Sequence, residues 1–324
     1  LATWSAMGAE ERARVVWSAL GRLDRDVERV ASVIARDTGL PAAMARAEVR
    51  AAIGAIREQL GGAGASSAAP GIIGQILSWS NPLVASLRLA ALDLVRGDVV
   101  IVLPSLKAPL SLVCLAEAMS RAGAPAGVFS LVQGAGIDVG AALARSKDLK
   151  RLDFQGSRAT ATSVRRSPDR HGIPVQEVFR RVERRTLAPS GDVEGFAAKV
   201  AASALAHATR VGFGGLEVRV PKPSLDALVA ALRPTWATVA YAEEAPGGRS
   251  VAPFAAERFR DAAEAQLEAW FDGGAELRLR APEPDERTRR MGWFVAPCVV
   301  HDVGDEIELD PEVPTGPLVL VKTR

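Results

Sequence analysis

The chain has 324 residues and a formal net charge of +2, with 48% hydrophobic and 24% charged residues. This composition is ordinary for a globular protein, and the length is sufficient for two domains. The nearly balanced charge argues against a dedicated nucleic-acid-binding protein, so we expect no nucleic-acid partner. We interpret the arginines concentrated between residues 165 and 185 as a solvated loop and helix face.

The cysteine and histidine content argues against several kinds of site. Cys114 and Cys298 are the only cysteines and lie far apart, so the sequence contains no disulfide framework. His171, His207 and His301 are scattered without the spacing of a zinc site. We therefore predict no metal and a reducing, cytoplasmic location.

The beginning of the chain, LATWSAMGAE, lacks the basic and apolar regions of a signal peptide. No apolar run is long enough for a membrane span, so we predict no membrane partner. The first residue is Leu rather than Met, which favours a module cut from a longer protein.

The first sixty residues have a helical pattern. Apolar residues recur at three- and four-residue spacing from Glu10 to about Leu60. Gly39 is placed to end one helix, and Pro41 follows it. A second helix is predicted over residues 42–60, and GGAGASSAAPG after it is a low-complexity joint.

The pattern then changes to short, continuous apolar runs separated by amphipathic stretches. Continuous apolar runs are typical of strands that are covered on both faces of a parallel sheet. The predicted strands of the first half are residues 72–77, 99–103, 128–132 and 149–154, and the predicted helices are residues 82–96, 109–122 and 138–146. This alternation predicts a doubly wound α/β sheet.

The second half repeats the alternation. We predict helices over residues 192–208, 223–232 and 253–271, and strands over residues 216–220, 238–242, 276–280, 294–300 and 317–322. The fold class is therefore α/β, with two Rossmann-like modules and an N-terminal helical segment.

Four segments in collinear order carry a family resemblance. SWSNPLV is similar to a Trp-Asn-aromatic-Pro stretch that precedes a helix. GDVVIVLPS, which follows that helix, is similar to a strand that ends in Pro-Ser. LDFQGSRA is similar to a Phe-Thr-Gly-Ser segment, and GDVEGFAAKV with GGLEVRVPKPS is similar to a helix, nucleophile loop and strand. GWFVAPCVV is similar to a closing Gly-aromatic-Val-x-Pro-Thr segment. These segments occur in the same order as in the aldehyde dehydrogenase family, which the sequence resembles over nearly its whole length.

The resemblance implies a cofactor-binding domain and a catalytic domain. Residues 1–182 correspond to the N-terminal helices and the cofactor-binding domain, and residues 183–324 correspond to the catalytic domain. In an alternative division, the final strand region returns to the cofactor-binding domain. The family oxidises aldehydes with NAD or NADP, through a cysteine thiolate and a glutamate that activates water. The family's N-terminal oligomerisation strands and its last segment have no counterpart here, which implies a truncated member.

The nucleophile is missing from its expected position. Aligned by the flanking helix and strand, the family's cysteine position falls on Gly212. Cys114 and Cys298 are too distant for a shift of register to supply the thiol, and Cys298 falls on a closing strand where we expect a core residue. Thr209 is the nearest hydroxyl, and no histidine stands at the spacing of a dyad.

The oxyanion donor and the general base are altered as well. Ser80 stands at the position of the family's side-chain amide, while Asn81, one residue later on an extended segment, is predicted to point to the other face. Glu177 matches the general base, although two larger residues replace the glycines that follow it. Glu183 matches through a small insertion. We interpret both glutamates as members of a surface helix.

The cofactor contacts implied by the resemblance are partly lost. Leu103 replaces a lysine, Val313 a glutamate and Gln155 a threonine, while Lys107 reaches the ribose only if its loop differs. GAGIDVG departs from the spacing of a dinucleotide fingerprint. We predict no cofactor, or NAD or NADP if there is one. The positions that remain as candidate cofactor contacts are Trp79, Pro104, Ser105, Gly136, Gly140, Gly156 and Ser157.

Three hypotheses follow. The first is a catalytically inactive aldehyde dehydrogenase-like module with a structural, partner or regulatory role. Its predicted partner is an active aldehyde dehydrogenase or its own oligomer. The second is a working NAD(P)-dependent aldehyde oxidoreductase with an atypical active site, and the third is a nucleotide-binding sensor. We favour the first, because Gly212, Ser80 and Glu177 are vestigial positions while the core pattern is intact.

Overall fold

The computed structural model describes residues 1–61, 69–166, 171–179, 181–206, 213–241 and 249–324. The chain divides into two units, Leu1–Thr38 with Ala45–Phe179, and Gly39–Met44 with Arg180–Arg324. The division between them at residue 180 lies three residues before the predicted start of the second domain at residue 183.

The N-terminal segment is helical. Gly39 adopts a left-handed conformation (φ +76°) after the third helix, as its predicted role at a helix end requires. The apolar stripe predicted from the spacing is buried, with Leu20 and Val30 both almost inaccessible. The four helices are α1 (Ala2–Ala6), α2 (Ala9–Arg25), α3 (Val27–Thr38) and α4 (Ala42–Gly61).

The first unit contains a parallel sheet in the order β3-β2-β1-β4-β5. Its strands are β1 (Ile72–Leu77), β2 (Val99–Pro104), β3 (Phe129–Leu131), β4 (Leu149–Gln155) and β5 (Val175–Val178). The predicted doubly wound α/β sheet is confirmed, because the chain moves outward from β1 in one direction and from β4 in the other. The helices of this unit are α5 (Pro82–Arg96), α6 (Leu110–Arg121), α7 (Ala141–Arg145) after a π-helical turn (Gly136–Gly140), and α8 (Arg158–Arg165).

The predicted surface helix around residues 175–185 is wrong. Glu177 lies on β5, paired in register with Phe154, and Glu183 lies on β6 (Arg181–Thr186), paired with Leu216. Hydrogen bonds to neighbouring strands, which are distant in sequence, decide the conformation of this charged segment. Arg181, Arg184 and Arg185 therefore belong to a strand and not to a helix face.

The second unit contains a sheet in the order β10-β11-β12-β7-β6, in which β10 and β11 pair antiparallel and the other neighbours are parallel. The further strands are β7 (Phe213–Val220), β8 (Ala240–Tyr241), β9 (Ser250–Val251), β10 (Glu276–Arg280), β11 (Cys298–Asp302) and β12 (Leu318–Thr323). The helices are α9 (Val193–Ala206), α10 (Leu225–Ala237), α11 (Glu257–Asp272) and α12 (Glu286–Met291). No helix in the described ranges combines the length and the apolar character needed to cross a membrane.

The last strand belongs to the second unit. β12 lies in the middle of the second sheet, between β7 and β11, and Leu318, Val319, Leu320 and Val321 are fully buried. The alternative in which the final strand region returns to the first domain is therefore wrong. A continuous apolar run is buried on both faces wherever it is central in a sheet, so its pattern could not identify which sheet it joins.

Candidate functional site

The carboxyl edge of the first sheet is the candidate site. β1 and β4 are neighbours, and the connections that follow them run in opposite directions, which leaves a crevice outside their ends where open α/β sheets bind ligands. The structure brings most of the predicted residues to this edge. Those that follow or end its strands are Trp79, Ser80, Pro104, Ser105, Gly156, Ser157 and Glu177.

The loop after β1 is tightly held. Ser80 is 4% exposed, and Asn81 has a left-handed backbone (φ 46°) and caps α5, its Oδ1 accepting from the Val84 N–H at 3.4 Å. The side-chain amide of Asn81 also donates to Glu48. The prediction that Asn81 lies on an extended segment is wrong, because asparagine tolerates this conformation and Pro82 favours the start of a helix.

Gln155 links this loop to the end of β4. The Gln155 Nε2 donates to the carbonyl oxygen of Ser80 at 3.4 Å. The Gln155 side chain is buried, and its Oε1 has no hydrogen-bond partner within the described part of the chain. Gln155, which the resemblance identified only as the replacement of a threonine, thus spans the crevice between β1 and β4.

Polar groups from β1, β4 and α5, all but Arg151 buried, are linked to one another on the face of β4 that carries Gln155. Arg151 donates through Nε to Asp153 at 2.6 Å and through Nη2 to Asp93 at 2.5 Å. Gln75 Nε2 donates to Asp153 at 3.4 Å, and Ser86 Oγ donates to Gln75 at 2.7 Å. Burial raises the pKa of Asp153, and the hydrogen bonds from Arg151 oppose that rise. We call these five residues the polar column.

The loops after β2 and β3 carry further candidate cofactor positions. Leu103 is buried within β2, at the position where the family resemblance places a lysine. Ser105 Oγ accepts from the Lys107 N–H at 3.2 Å. Gly136 is exposed, whereas Gly140 is buried, and a Cβ on Gly140 would contact Leu103 at 3.4 Å.

Gly156 and Ser157 immediately precede α8. A Cβ on Gly156 would lie 2.5 Å from the Phe154 ring, so the close approach of this turn requires glycine. Ser157 is exposed and caps α8, its Oγ accepting from the Thr160 N–H at 3.2 Å. The first turn of α8 contains no acidic residue, which leaves this helix end suitable for an anion.

The two candidate bases are both engaged with arginine. Both carboxylate oxygens of Glu177 lie 2.7 Å from Arg165 Nη1, from α8. In the second unit, Glu183 pairs with Arg185 at 2.5 Å and accepts from Ser203 Oγ at 2.9 Å. Both carboxylates are therefore engaged in ion pairs, which no sequence pattern indicated.

The nucleophile loop lies outside the described residues, and with it Gly212, Thr209 and His207. The glycines that begin β7 are described. The Gly214 carbonyl oxygen accepts from the Thr315 N–H at 2.7 Å, and a Cβ on Gly214 would lie 2.6 Å from the Pro311 carbonyl carbon. A Cβ on Gly215 would lie 3.0 Å from Thr315 Oγ1. These glycines allow residues 311–315 to pack against the strand.

Both thiols are buried. Cys114 lies on α6 and Cys298 on β11. Burial raises the pKa of each, that of Cys298 to about 12. Among the described residues, no group of three or more histidine, cysteine, aspartate or glutamate side chains is arranged to hold a metal ion.

We expect the native chain to resist thiol reagents. At pH 8 a thiol with a pKa of about 12 is ionised in only about one molecule in 10⁴, and burial limits access further. Labelling with a chromogenic disulfide should be at least ~100-fold slower in the native chain than in guanidinium chloride. A fast native phase of one thiol per chain would contradict the buried positions of Cys114 and Cys298.

The chain matches the family description "Aldehyde dehydrogenase family" over residues 1–323. It is 23% identical over 337 aligned positions to the betaine aldehyde dehydrogenase of Bacillus subtilis (strain 168), covering 99% of this chain and 69% of that protein. The fold is similar to the crystal structure of an aldehyde dehydrogenase from Bartonella henselae (TM-score 0.84, 20% identity, 100% of this chain and 71% of that one). It is also similar to the NAD+ complex of an aldehyde dehydrogenase from Bacillus cereus (TM-score 0.82, 24% identity, 98% and 67%).

The extent of the match differs among relatives. The chain is 27% identical over 254 residues to a protein of Staphylococcus aureus (strain MW2) that is named as an aldehyde dehydrogenase. That alignment covers 78% of this chain and 53% of the relative. The chain therefore spans about half to two thirds of the length of such proteins.

Proposed function

We propose that the chain, which belongs to the aldehyde dehydrogenase family, is a catalytically inactive member that serves as a structural, partner or regulatory unit. The observation that carries the proposal is the placement of its thiols. Cys114 and Cys298 are buried in cores, and Gly212 stands at the nucleophile position inferred from the resemblance. Covalent aldehyde oxidation needs an accessible, readily ionised thiol, which neither cysteine provides.

The remaining catalytic positions support the proposal. Ser80 is buried, and its short hydroxyl replaces a side-chain amide that would stabilise an oxyanion. Glu177 is bound by Arg165 through both carboxylate oxygens, so it cannot serve as a free base without breaking an ion pair. The nucleophile, the oxyanion donor and the base are thus altered together, while the sheets that would carry them are intact.

The residues of the first unit do not fit a nicotinamide dinucleotide. Such a cofactor lies across the crevice at the switch point of a doubly wound sheet. Here Gln155 and Ser80 are joined across that crevice, and Leu103 offers no charge or hydrogen bond to a ribose. The proposed function therefore uses neither NAD nor NADP.

One observation favours a nucleotide-binding sensor as the second candidate. The N-terminal end of α8, with Gly156 and Ser157, is accessible and free of acidic residues in its first turn. Helix N-termini of this kind bind phosphate groups through backbone N–H groups and the helix dipole. Binding of NAD, NADP or a simpler nucleotide to the native state would raise the melting temperature.

The partner we propose is an active aldehyde dehydrogenase or a second copy of the chain. The matched region spans 69% of the B. subtilis relative and 53% of the S. aureus one. Co-expression with an intact family member followed by size-exclusion chromatography tests this proposal.

We expect no aldehyde-dependent reduction of NAD or NADP by the chain, measured as absorbance of the reduced cofactor. Gly212→Cys should restore little activity, because the oxyanion donor and the free base remain absent. Losses of about 10² for each of these groups place the variant at least ~10⁴-fold below an intact family member. Gly212→Ser is the matched control, which changes the same position without adding a thiol.

Two results would contradict inactivity. One is turnover by the unmodified chain that Glu177→Gln abolishes, which would establish an oxidoreductase with an atypical active site. The other is a gain in Gly212→Cys that approaches an intact enzyme, since the remaining site would then be competent. A thermal shift with nucleotide but without turnover would favour the sensor.

A further inference from the structure

Gln155 lies at the topological switch point of the first sheet, where doubly wound sheets bind ligands. The order β3-β2-β1-β4-β5 puts the topological switch between β1 and β4. Gln155 is the last residue of β4, next to the loop that leaves β1. Its side chain therefore lies at the inner end of the crevice, where β1 and β4 end, and not on an outer face of the unit.

The contacts of Gln155 close the inner end of the crevice. Its Nε2 donates to the Ser80 carbonyl oxygen at 3.4 Å, which ties β4 to the loop after β1. Protein fills the inner end of the crevice, because the residues there are almost inaccessible: Gln155 is 6% exposed, Ser80 4% and Trp79 8%. The next residues along the chain, Gly156 and Ser157, are accessible, so only the outer end is open.

The polar column lies on the same face of β4 as Gln155. Side chains two residues apart on a strand share a face, so Arg151, Asp153 and Gln155 follow one another on the same side of β4. Asp153 is fully buried and hydrogen-bonded to both Arg151 and Gln75. The buried Oε1 of Gln155 is accommodated without a partner in the described part of the chain.

We propose that Gln155 seals the crevice at the switch point and keeps a dinucleotide from lying across the ends of β1 and β4. This inference deepens the cofactor aspect of the proposed function and rests on it. It makes Gln155 a specificity-determining residue, because a ligand at the outer end, near Gly156 and Ser157, does not require the crevice to open. A threonine, shorter and without the amide, removes the link to Ser80 and still suits a strand.

Accessibility of the crevice tests the seal without any ligand. Ser80→Cys should react slowly with a maleimide, and at least roughly tenfold faster when combined with Gln155→Thr, because local opening controls access to a buried thiol. The buried Cys114 and Cys298 give little background. Ser157→Cys is exposed and serves as the control, which should react at the same rate with or without Gln155→Thr. If Gln155→Thr does not fold, Gln155→Ala replaces it.

Binding of NADH, followed by its fluorescence, tests the consequence. Gln155→Thr should bind NADH at least roughly tenfold more tightly than the unmodified chain, whereas Gln155→Met, which keeps the volume, should not. An unchanged labelling rate, or an unchanged NADH affinity in Gln155→Thr, overturns the proposal. Neither result depends on turnover, so failure of the seal is distinguishable from failure of the proposed inactivity.

Discussion

Arg151→Met is expected to destabilise the first unit by about 3–5 kcal/mol, because it leaves a buried carboxylate without its cation. Asp153 is fully buried and would keep only the 3.4 Å hydrogen bond from Gln75. Asp93 would retain Arg96, whose Nη1 lies 3.8 Å from it. Urea denaturation measures the loss, and hydrogen exchange assigns it to the strands of the first sheet.

Arg29→Met is the matched control. It removes the same kind of side chain from an ion pair with Glu117 at 3.0 Å, but the two side chains are 49% and 39% exposed. Solvent screening limits such a pair to about 0–1 kcal/mol. Equal losses in Arg151→Met and Arg29→Met would show that burial of the polar column contributes nothing. Adding Asp153→Asn to Arg151→Met should recover part of the loss, since the buried charge is then removed.

The loss in Arg151→Met should shrink as the pH falls. Burial raises the pKa of Asp153 above its unfolded value, and removal of Arg151 takes away the interaction that opposes this rise. The folded state then binds more protons than the unfolded state between the two pKa values, so its stability increases as the pH falls through the folded pKa. Denaturation at pH 7 and at pH 5 checks the sign, and a loss that grows at pH 5 would contradict it.

Gly214→Ala is expected to destabilise the second unit by about 3 kcal/mol, because its Cβ would overlap backbone atoms that cannot rotate away. The added carbon would lie 2.6 Å from the Pro311 carbonyl carbon and 2.8 Å from its Cα. Relief requires movement of residues 311–315, which would weaken the 2.7 Å hydrogen bond from the Thr315 N–H to the Gly214 carbonyl. Thermal denaturation measures the effect.

Gly54→Ala provides the opposite control. Gly54 lies inside α4, and a Cβ there meets nothing within 4 Å. Alanine should stabilise this helix by about 0.5–1 kcal/mol, because it restricts the unfolded chain and favours helix. A similar stabilisation by Gly214→Ala would show that Gly214 serves no packing role, and that the glycine-rich start of β7 has another cause.

The sequence predicted the architecture better than the site. The continuous apolar runs at residues 72–77, 99–103 and 149–154 correspond to β1, β2 and β4, because burial on both faces of a parallel sheet leaves that pattern in any single strand. The charged residues 175–186 left no such pattern, and their strands β5 and β6 were predicted as helix. Their conformation depends on pairing with β4 and β7, which local preferences do not encode.

The candidate site could be predicted as positions but not as contacts. Gly156 and Ser157, which precede α8, were indicated by the resemblance of LDFQGSRA to the family's Phe-Thr-Gly-Ser segment. Asn81 did not follow, because its left-handed backbone depends on capping α5 and on its contact with Glu48. The two carboxylates proposed as bases were visible, while their arginine partners were not.

The sequence by itself determined that this chain has the alternation of an α/β protein and no cysteine between Cys114 and Cys298, since composition and periodicity are local properties. Only the tertiary structure decided that Glu177 is bound by Arg165 and that Gln155 joins Ser80 across the ends of β1 and β4. Those contacts depend on which strands are neighbours in the sheet. Strand neighbours are set by burial over the whole unit, and a pair of residues 75 apart carries no trace of it in the chain.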